Sequence, residues 1–356
     1  MLYSTDSPPL HVMMSFTGLD EQSSPYVQLL VRALANCGVQ VELLSWRRLL
    51  TGRVQLLHVH WPETMLTRRT MIGRIVGRGL FVMLLARARF GRTTIVRTVH
   101  NRAPHESPSY LDRQLLGMLD RLTSAWINLN ENQFHPNRAL SVVIPHGELG
   151  SFYRTGVAPK KSRAIDVLHF GMIRAYKRVD RLIEVVSHAR TITCAIAGKP
   201  ATPQLAAALA AQADRADNIT VDFRHIPGIQ LANYITDAAL VVLPYSRFEN
   251  SGAALLSLDL GTPILVPRTE SAELLERDFG ADWVHVYDGP LAIEHLREAL
   301  HRVAHLSRNE RPVIPAREWP AQAAAHIDVY TRVADPRVRR RVGASQNMGR
   351  RIGSGT

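Results

Sequence analysis

Short apolar runs rich in β-branched residues alternate with amphipathic stretches along most of the chain. The runs have the length of buried strands, whereas the stretches between them repeat apolar residues at the spacing of one helix face. In the first half the pattern predicts strands over 10–14, 39–44, 55–60, 94–99, 125–129 and 141–144. In the second half it predicts strands over 164–169, 191–197, 218–223, 239–243, 263–266 and 283–287. Strands that alternate with helices build parallel sheets from βαβ units.

Two successive sets of strands predict an α/β protein with two Rossmann-like domains. A polar segment around Pro159 separates the sets and is typical of a linker. We therefore expect an N-terminal domain over 1–155 and a C-terminal domain over 156–315. A helical pattern over 316–334 is expected to pack back toward the first domain. Residues 335–356 are rich in arginine, glycine and serine, which predicts a basic disordered tail.

The composition is that of a globular protein, with 46% hydrophobic and 21% charged residues. Two cysteines far apart in sequence form neither a disulfide framework nor a zinc motif, which favours a reducing compartment. The first residues show no signal-peptide pattern, and no apolar run approaches the roughly 20 residues of a spanning helix. These features predict a cytoplasmic protein.

The net charge of +12 favours anionic partners such as nucleic acid, acidic lipid or phosphorylated substrates. Many arginines fall within 68–92, where they are interleaved with apolar residues such as Ile72 and Ile75. That mixture predicts contact with an anionic membrane surface, although an ordinary helix with solvated arginines would show it too. Few aromatic residues accompany the arginines, which disfavours a nucleic-acid partner bound by base stacking.

Polar and titratable residues stand at the ends of three predicted strands of the first domain. Ligands of parallel sheets bind beyond the carboxyl ends of the strands, so these residues define a candidate cleft. They are His60 and Glu63 after the third strand, His100, Asn101, His105 and Glu106 after the fourth, and His146 after the sixth.

The second domain has features suited to an anionic ligand. Gly171 permits a tight turn after the first strand, and Arg174 and Lys177 follow at the start of a predicted helix over 177–189. A forked arginine and a lysine together suit a diphosphate. Gly198 allows close approach of a ligand to the backbone. The backbone near His225 is a candidate contact for a nucleotide base.

The stretch 243–260 joins a predicted strand to a predicted helix, with Glu249, Asn250, Ser251 and Gly252 at the junction. A helix N-terminus offers unpaired N–H groups to an anion, and a glutamate can bind hydroxyl groups. Such a site suits a sugar nucleotide. The alternative is a helix capped by Asn or Ser, with one solvated glutamate.

Two Rossmann-like domains, a GxxRxxK turn and a glutamate before a Gly-containing helix resemble the GT-B glycosyltransferases. The resemblance covers roughly residues 10–333. It implies two domains that face each other across a cleft, with Arg174 and Lys177 on the donor diphosphate and Glu249 on the donor sugar or ribose. The large retaining GT-B family has an E-x7-E pair, and Ser257 stands at the second position here.

The segments LHVHWPE, TVHNRAPHE, IPHGE and FENSGAALLSLDLGTPILVP are similar to bacterial mannosyltransferases of exopolysaccharide synthesis, the xanthan-type GDP-mannose:glycolipid β-1,4-mannosyltransferases. This resemblance implies transfer of a hexosyl group, with mannose from GDP-mannose as the first choice of donor. The acceptor would be a polyprenyl-diphosphate-linked glycan or another glycolipid. It also implies a reaction without a metal or other cofactor, at the inner face of the plasma membrane.

An inverting reaction needs a general base from the first domain. The candidates are His60, Glu63, His100 and Glu106, with His100 and Glu63 ranked first on position. Asn101, His105 and His146 are expected on the acceptor side, together with Glu106. The alternatives are a retaining GT-B transferase that uses a UDP-sugar, a GT-B-like sugar-nucleotide epimerase, a degenerate partner subunit and a basic nucleic-acid-binding protein.

Overall fold

Every strand predicted from the hydrophobic pattern is present in the computed structural model of the chain. The structure describes residues 10–19, 24–52, 54–68, 70–100, 109–131, 139–153, 164–248, 251–307 and 310–334. The strands are β1 His11–Met14, β2 Gln40–Leu43, β3 Leu56–Val59, β4 Thr94–Val99, β5 Thr123–Asn128, β6 Leu140–Val143, β7 Ile165–Phe170, β8 Cys194–Ala197, β9 Ile219–Asp222, β10 Ala238–Val242, β11 Ile264–Pro267 and β12 Val284–Tyr287.

Helices fill most of the intervals between these strands. They are α1 Pro25–Asn36, α2 Trp46–Thr51, α3 Glu63–Leu66, α4 Met71–Arg89, α5 Tyr110–Leu122, α6 Gly150–Tyr153, α7 Val179–Ser187, α8 Pro203–Ala213, α9 Gly228–Asp237, α10 Gly252–Asp259, α11 Glu270–Phe279, α12 Ile293–Val303 and α13 Trp319–Ala334. Within the described ranges, none of them combines the length and the apolar character needed to cross a bilayer.

The chain divides into two units. The first unit consists of Met1–Gly147 with Ala316–Thr356, and the second is Glu148–Pro315. The second unit thus begins ahead of the boundary we expected after residue 155, and it includes α6. Helix α13 belongs to the first unit, although it follows the second unit in sequence.

Each unit contains a parallel sheet. The described strands of the first unit have the order β2-β1-β3-β4-β5-β6, and those of the second have the order β12-β11-β10-β7-β8-β9. In the second sheet the winding direction reverses between β7 and β10, which are hydrogen-bonded neighbours. Doubly wound sheets bind ligands at this reversal, beyond the carboxyl ends of the strands. The predicted α/β architecture with two Rossmann-like sheets is confirmed.

Serine and threonine side chains fix the starts of several helices. Each accepts a hydrogen bond from the backbone N–H three residues later, which satisfies one of the unpaired donors of the first turn. These caps are Ser45, Thr70, Ser109, Thr202, Ser251 and Thr269.

The helix predicted over 177–189 begins later than expected. Ala175–Lys177 forms a 3-10 turn, Arg178 adopts a left-handed conformation with φ 50°, and α7 starts at Val179. Arg174 and Lys177 therefore precede the helix. The expected placement of the two residues at the start of this helix was wrong, because the left-handed Arg178 lies between them and the first residue of α7.

The sheet of the first unit is covered on both faces. One face packs on α2 to α5 through a core that includes Met13, Leu57 and Ile95. The other face carries side chains of β3 and β4 that meet α13. There His58 lies between Thr98 and Tyr330, with Nε2 2.8 Å from the threonine hydroxyl and Nδ1 2.6 Å from the tyrosine hydroxyl. This polar bridge attaches α13 to the centre of the sheet.

We expect Tyr330→Phe to destabilise the first unit by about 1–3 kcal/mol, because the buried Nδ1 of His58 loses its partner. Urea unfolding followed by tryptophan fluorescence measures the effect. Tyr110→Phe is the matched control, since Tyr110 is exposed and should unfold like the parent protein. Equal stability of Tyr330→Phe and the parent would show that the bridge contributes nothing.

Candidate active site

The reversal point of the second sheet is built on two glycines that bring the strand ends together. Gly171 follows β7 with φ +93°, and Gly198 follows β8 with φ +155°. A Cβ at Gly198 would lie 1.9 Å from the carbonyl oxygen of Gly171. The Gly171 N–H donates to the Ala197 carbonyl at 2.9 Å. We predicted Gly198 as a donor contact, and this close approach gives it a structural reason to be glycine.

Lys177 folds back over this turn. Its Nζ lies 5.0 Å from the centroid of the Tyr245 ring, within range of a cation–π contact. Nζ also lies 3.7 Å from the position that a Cβ on Gly171 would occupy. Burial, followed by the charge of Arg174, lowers the pKa of Lys177 from 10.5 to about 8. The lysine is thus held at the end of β7 beside a second cation.

Neither Arg174 nor Lys177 forms an ion pair with another described residue, whereas most arginines of this unit do. Two adjacent cations, one of them half-buried, repel each other until an anion neutralises them. Their position at the reversal of the sheet is where a phosphate group is expected in this fold. The pair is therefore a candidate anion site.

His169 stabilises the strands that lead to the same turn. The sequence did not identify it as part of this site. It is fully buried on β7, and its Nδ1–H donates to the Val242 carbonyl on β10 at 2.9 Å. Burial and the charge of Lys177 lower its pKa to about 3. A neutral imidazole therefore joins the two strands at the reversal point.

The start of α10 lies beyond the end of β10. The Ser251 hydroxyl caps the helix by accepting from the Ala254 N–H at 3.3 Å. Among the described residues, no atom lies within 4 Å of a Cβ built on Gly252, so their packing does not require glycine there. The predicted contacts Glu249 and Asn250 lie outside the described residues.

Ser257 stands at the second position of the E-x7-E spacing that begins at Glu249. It is fully buried, and its hydroxyl donates to the Ala253 carbonyl at 2.8 Å. The position serves the packing of α10. Elsewhere in this unit, His225 is exposed after β9, and its neighbour Arg224 is bound to Asp222 and Gln230.

In the first unit, two of the predicted histidines are in direct contact. The rings of His60 and His100 approach with 2.9 Å between Nδ1 of His60 and Nε2 of His100. His60 follows β3 and His100 follows the neighbouring strand β4, on the face of the sheet that also carries His58. His60 is fully buried, and His100 keeps 9% of its surface exposed.

Aromatic rings enclose this pair. The indole of Trp61 stacks on His100 with centroids 4.1 Å apart and an angle of 20°, and Tyr26 meets the edge of His100 at 5.4 Å. Phe16 lies 5.1 Å from the His60 ring. The sequence did not predict these rings. Phe16 and Tyr26 come from another loop and from α1, and Trp61, although it follows His60, is not among the titratable residues that defined the candidate cleft.

The buried histidines of this unit are held neutral. The pKa values of His58, His60 and His100 lie well below 6.5. Burial is the main cause, and the neighbouring histidines are the second. The pKa values of His146 and His326 fall to about 4, with burial as the main cause. Neutral imidazoles can accept a proton, as a general base must.

Glu63 lies in a different environment from His100. Burial lowers the pKa of Arg97 to about 10, and the carboxylate of Glu63 acts in the opposite direction on that pKa. Arg97 also pairs with Asp120 and lies over the Trp126 ring at 5.1 Å. Side chains alternate along a strand, so Arg97 and His100 are on opposite faces of β4. The structure thus associates Glu63 with a structural arginine and not with the histidine pair.

His146 is held by the C-terminal segment. Its Nδ1–H donates to the Gly147 carbonyl at 2.8 Å, and its own carbonyl accepts from Arg317 at 2.8 Å. A Cβ on Gly147 would lie 2.5 Å from the Trp319 ring. The ring of His146 still contacts Tyr26, with centroids 4.5 Å apart. The remaining acceptor-side predictions Asn101, His105 and Glu106 fall outside the described residues.

Sequence comparison finds two similar curated proteins, both GDP-mannose:glycolipid 4-beta-D-mannosyltransferases of Xanthomonas campestris pv. campestris. One is 32% identical and the other 31% identical over 327 residues, which cover 91% of this chain and 93% of each relative. No family model matches the chain.

Solved structures of glycosyltransferases share the fold. A glycosyltransferase involved in avilamycin A biosynthesis superposes with a TM-score of 0.58 at 13% identity, over 92% of this chain and 98% of that one. Sucrose-phosphate synthase from Thermosynechococcus elongatus superposes with a TM-score of 0.57 at 13% identity, over 98% of this chain and 100% of that one. These likenesses confirm the predicted GT-B fold.

The neutral histidines predict that the first unit loses stability as the pH falls below about 6.5. Their pKa values in the folded state lie below the unfolded value, so the unfolded chain binds protons first. Each histidine that stays neutral removes up to about 1.4 kcal/mol per pH unit. Urea midpoints between about pH 8 and about pH 5, measured in a Trp283→Phe background that leaves only first-unit tryptophans, test this expectation.

His326→Gln should reduce this pH dependence by one group, because glutamine does not titrate. The matched control is His188→Gln, which replaces an exposed histidine of the second unit. A midpoint that stays constant across this pH range would contradict the assignment of neutral buried imidazoles.

Proposed function

This chain belongs to the family of the GDP-mannose:glycolipid 4-beta-D-mannosyltransferases, and we propose that it transfers mannose from GDP-mannose to a lipid-linked glycan. The chain is a glycosyltransferase with the GT-B fold. The donor sugar and the glycolipid acceptor are carried over from the names of its relatives. The pair Arg174 and Lys177 at the reversal of the second sheet is the observation that most supports a nucleotide-diphosphate donor.

The proposed donor site lies in the second unit. Arg174 and Lys177 neutralise the diphosphate, and the N-terminus of α10 adds N–H donors and a partial positive charge. Ser251 and Gly252 stand at that terminus. Glu249 and Asn250 remain proposed contacts of the sugar or ribose, and Gly171 and His225 proposed contacts of the nucleotide.

The proposed base is His100. It is neutral and keeps 9% of its surface exposed at the end of β4, whereas His60 is fully buried and the charge of Glu63 acts on Arg97. His146 and the aromatic rings near it are placed on the acceptor side, with Asn101, His105 and Glu106 of the following loop.

In the proposed step, the acceptor hydroxyl gives its proton to His100 as its oxygen bonds to the anomeric carbon of mannose. The bond from that carbon to the β-phosphate oxygen breaks, and GDP leaves with the electron pair. A donor with an α-linked phosphate then yields a β-linked product, so the transfer inverts configuration. This outcome matches the β linkage in the names of the relatives.

The proposal includes no metal, because Arg174, Lys177 and the helix terminus supply positive charge to the leaving diphosphate. Within the described parts of the chain, no group of three His, Cys, Asp or Glu side chains is arranged to hold a metal ion.

Replacing Arg174 or Lys177 by alanine should weaken GDP binding about 10- to 100-fold, the range expected when a charge-assisted contact worth about 1.5–3 kcal/mol is removed. Calorimetric titration with GDP measures this loss. Transfer from GDP-mannose to lipid extracts should fall in parallel. Arg190→Ala is the control, as Arg190 is an exposed arginine of the same unit.

Unchanged GDP affinity in both variants would refute the assigned donor site. UDP-glucose and UDP-glucuronate, assayed alongside GDP-mannose, test the donor itself. Turnover of any of the three without an acceptor would favour the epimerase.

We propose that the enzyme binds an anionic membrane and reaches its acceptor there. Helix α4 exposes a continuous apolar stripe, and the neighbouring α5 exposes further apolar side chains. The stripe is made of Met71, Ile72, Ile75, Val76, Val82 and Met83, followed by Phe90; α5 adds Tyr110, Leu111 and Met118. An apolar stripe with cations beside it suits the interface of an anionic bilayer.

The structure changes which arginines can serve this surface. Arg78 binds both carboxylate oxygens of Asp112, and Arg87 donates to the carbonyls of Leu50 and Gly52. These two arginines bind α4 to neighbouring segments of the same unit. Arg74 and Arg89 are exposed on α4 and are the proposed lipid contacts.

Ile72→Ser combined with Arg74→Gln should reduce co-sedimentation with vesicles that contain phosphatidylglycerol, since both apolar burial and charge attraction are lost. Vesicles of phosphatidylcholine alone should bind the parent protein less well. Ile229→Ser is the control, because Ile229 is 56% exposed in the second unit and Ile72 is 76% exposed. If the double variant binds as the parent does, the α4 surface is not the membrane contact.

A further inference from the structure

The side chain of Tyr245 lies between the two parts of the proposed donor site. Tyr245 follows β10 and is buried, with 6% of its surface exposed. Nζ of Lys177 lies 5.0 Å from the centre of its ring. Burial and the neighbouring Tyr176 raise the pKa of the Tyr245 hydroxyl, whereas the Ser251 side chain lowers it. The tyrosine thus interacts with the lysine at the end of β7 and with the serine that caps α10.

Hydrogen bonds fix the loop that carries this tyrosine. The Ser246 N–H donates to the Tyr176 carbonyl at 2.8 Å, and the Ser246 hydroxyl donates to the same carbonyl at 3.1 Å. Further along the loop, the Thr269 hydroxyl donates to the Phe248 carbonyl at 3.4 Å. The loop is therefore bound on one side to the 3-10 turn Ala175–Lys177 and on the other to the start of α11.

Other rings fix the orientation of the Tyr245 ring. Tyr176 meets it edge-on with centroids 5.9 Å apart, and Phe248 lies at 6.0 Å. The buried His169 meets it edge-on at 6.1 Å. Close packing on several sides leaves the ring little freedom to turn. One face of the ring is thus held toward Lys177.

A ring face suits a lysine that must bind an anion. The lysine ammonium is a compact charge at the end of a flexible four-carbon stem, so its position has to be fixed by its surroundings. An aromatic face attracts the cation and leaves its charge in place. A carboxylate at the same position would also hold Lys177, but it would neutralise the charge that the ligand needs.

We propose that Tyr245 is a positioning residue, whose ring holds the ammonium of Lys177 at the end of β7 for the diphosphate of the donor. This inference rests on the proposed function, in which Arg174 and Lys177 bind that diphosphate. Tyr245 acts through the lysine. Because its loop also leads to the start of α10, one segment places the lysine relative to the helix N-terminus.

The position of the lysine couples donor binding to a proton. Burial, followed by the charge of Arg174, lowers the pKa of Lys177 to about 8. The other titratable groups around it are His169 of β7, which burial keeps neutral, and the hydroxyls of Tyr176 and Tyr245. About half of the Lys177 side chains are therefore neutral at about pH 8.

A bound diphosphate stabilises the charged lysine and raises its pKa. At about pH 8, binding of GDP should therefore take up about half a proton at Lys177. Below that pH the lysine is already charged, and this contribution to proton uptake disappears. Above it the affinity for GDP should decline, by up to about tenfold per pH unit, because the lysine must first be protonated.

Tyr245→Leu removes the ring face and should weaken GDP binding about 3- to 30-fold, the range of a cation–π contact. Tyr245→Phe keeps the face and should bind GDP as the parent does. Tyr245→Met fills much of the same space without a ring, so it should behave like the leucine variant. Calorimetric titration at about pH 7 measures the affinities, and thermal unfolding shows which variants are folded.

A double-mutant cycle tests whether the ring acts through the lysine. In a Lys177→Ala background, Tyr245→Leu should cause no further loss of GDP affinity, because the group that it positions is already absent. A ring that merely supports the fold of the site would cause the same loss in both backgrounds.

Proton uptake gives a second readout, from calorimetry at about pH 8 in two buffers of different ionisation enthalpy. The parent and Tyr245→Phe should show the contribution of Lys177, and Lys177→Ala should lack it. Tyr245→Leu should show less of it, since a lysine released into water regains a pKa near 10.4 and is charged before GDP arrives.

Tyr287→Leu is the matched control. Tyr287 is buried in the same unit with 5% of its surface exposed, and its ring stacks on His295 and not on Lys177. Its variant should unfold more easily and keep the parental GDP affinity and proton uptake.

The outcomes separate two failures. If Lys177→Ala binds GDP as the parent does, the proposed donor site is wrong and the role of Tyr245 falls with it. If Lys177→Ala binds weakly while the folded ring-free variants keep the parental affinity, or lose it equally without the lysine, the positioning role is overturned alone. If neither ring-free variant folds, the parent decides, and absence of Lys177-dependent proton uptake at about pH 8 overturns the proposal.

Discussion

A buried imidazole is tolerated only while it stays neutral and hydrogen-bonded, and much of the first unit depends on that constraint. His58 meets it by joining Thr98 of β4 to Tyr330 of α13, and His60 meets it through His100. These pairings join β3 to β4 and β3 to α13. Helix α13, which follows the second unit in sequence, belongs to the first unit, and the Tyr330 hydroxyl is the hydrogen-bond partner of His58 there.

The second unit depends on a different constraint, which is the close packing of backbone where the winding of its sheet reverses. Gly198 approaches the Gly171 carbonyl so closely that no side chain fits, and His169 joins β7 to β10 beneath the turn. This rigid base places Lys177 beside Arg174. The repulsion between the two cations is sustained by the surrounding structure, as is common where a site awaits a charged ligand.

The sequence was sufficient for the strands, since alternation of apolar runs and helical stretches is a local signal, and β1 to β12 lie close to their predicted positions. It also placed His60 and His100 at neighbouring strand ends. It could not show that the two rings bond, because that depends on the β3–β4 register and on Ser15 and Phe16 of another loop. The start of α7 was predicted wrongly because the left-handed position before it is occupied by Arg178. A glycine there would have indicated the break in the sequence. Arg78 and Arg87 could not be told from Arg74 by pattern alone, as only their partners in α5 and α2 distinguish them.

Charge explains why imidazole suits the proposed base better than a carboxylate. The proposed nucleotide-sugar donor and the proposed lipid-linked acceptor both bring negative charge, and a carboxylate base would add to it in a site of low dielectric. A neutral histidine adds none before the transfer and becomes positive as the diphosphate leaves. With a carboxylate as its partner, His100 would be protonated more readily and would lose its capacity as a base at mildly acidic pH. Neutral histidines beside His100 do not raise its pKa in this way, so the buried rings of this face leave the proposed base unprotonated.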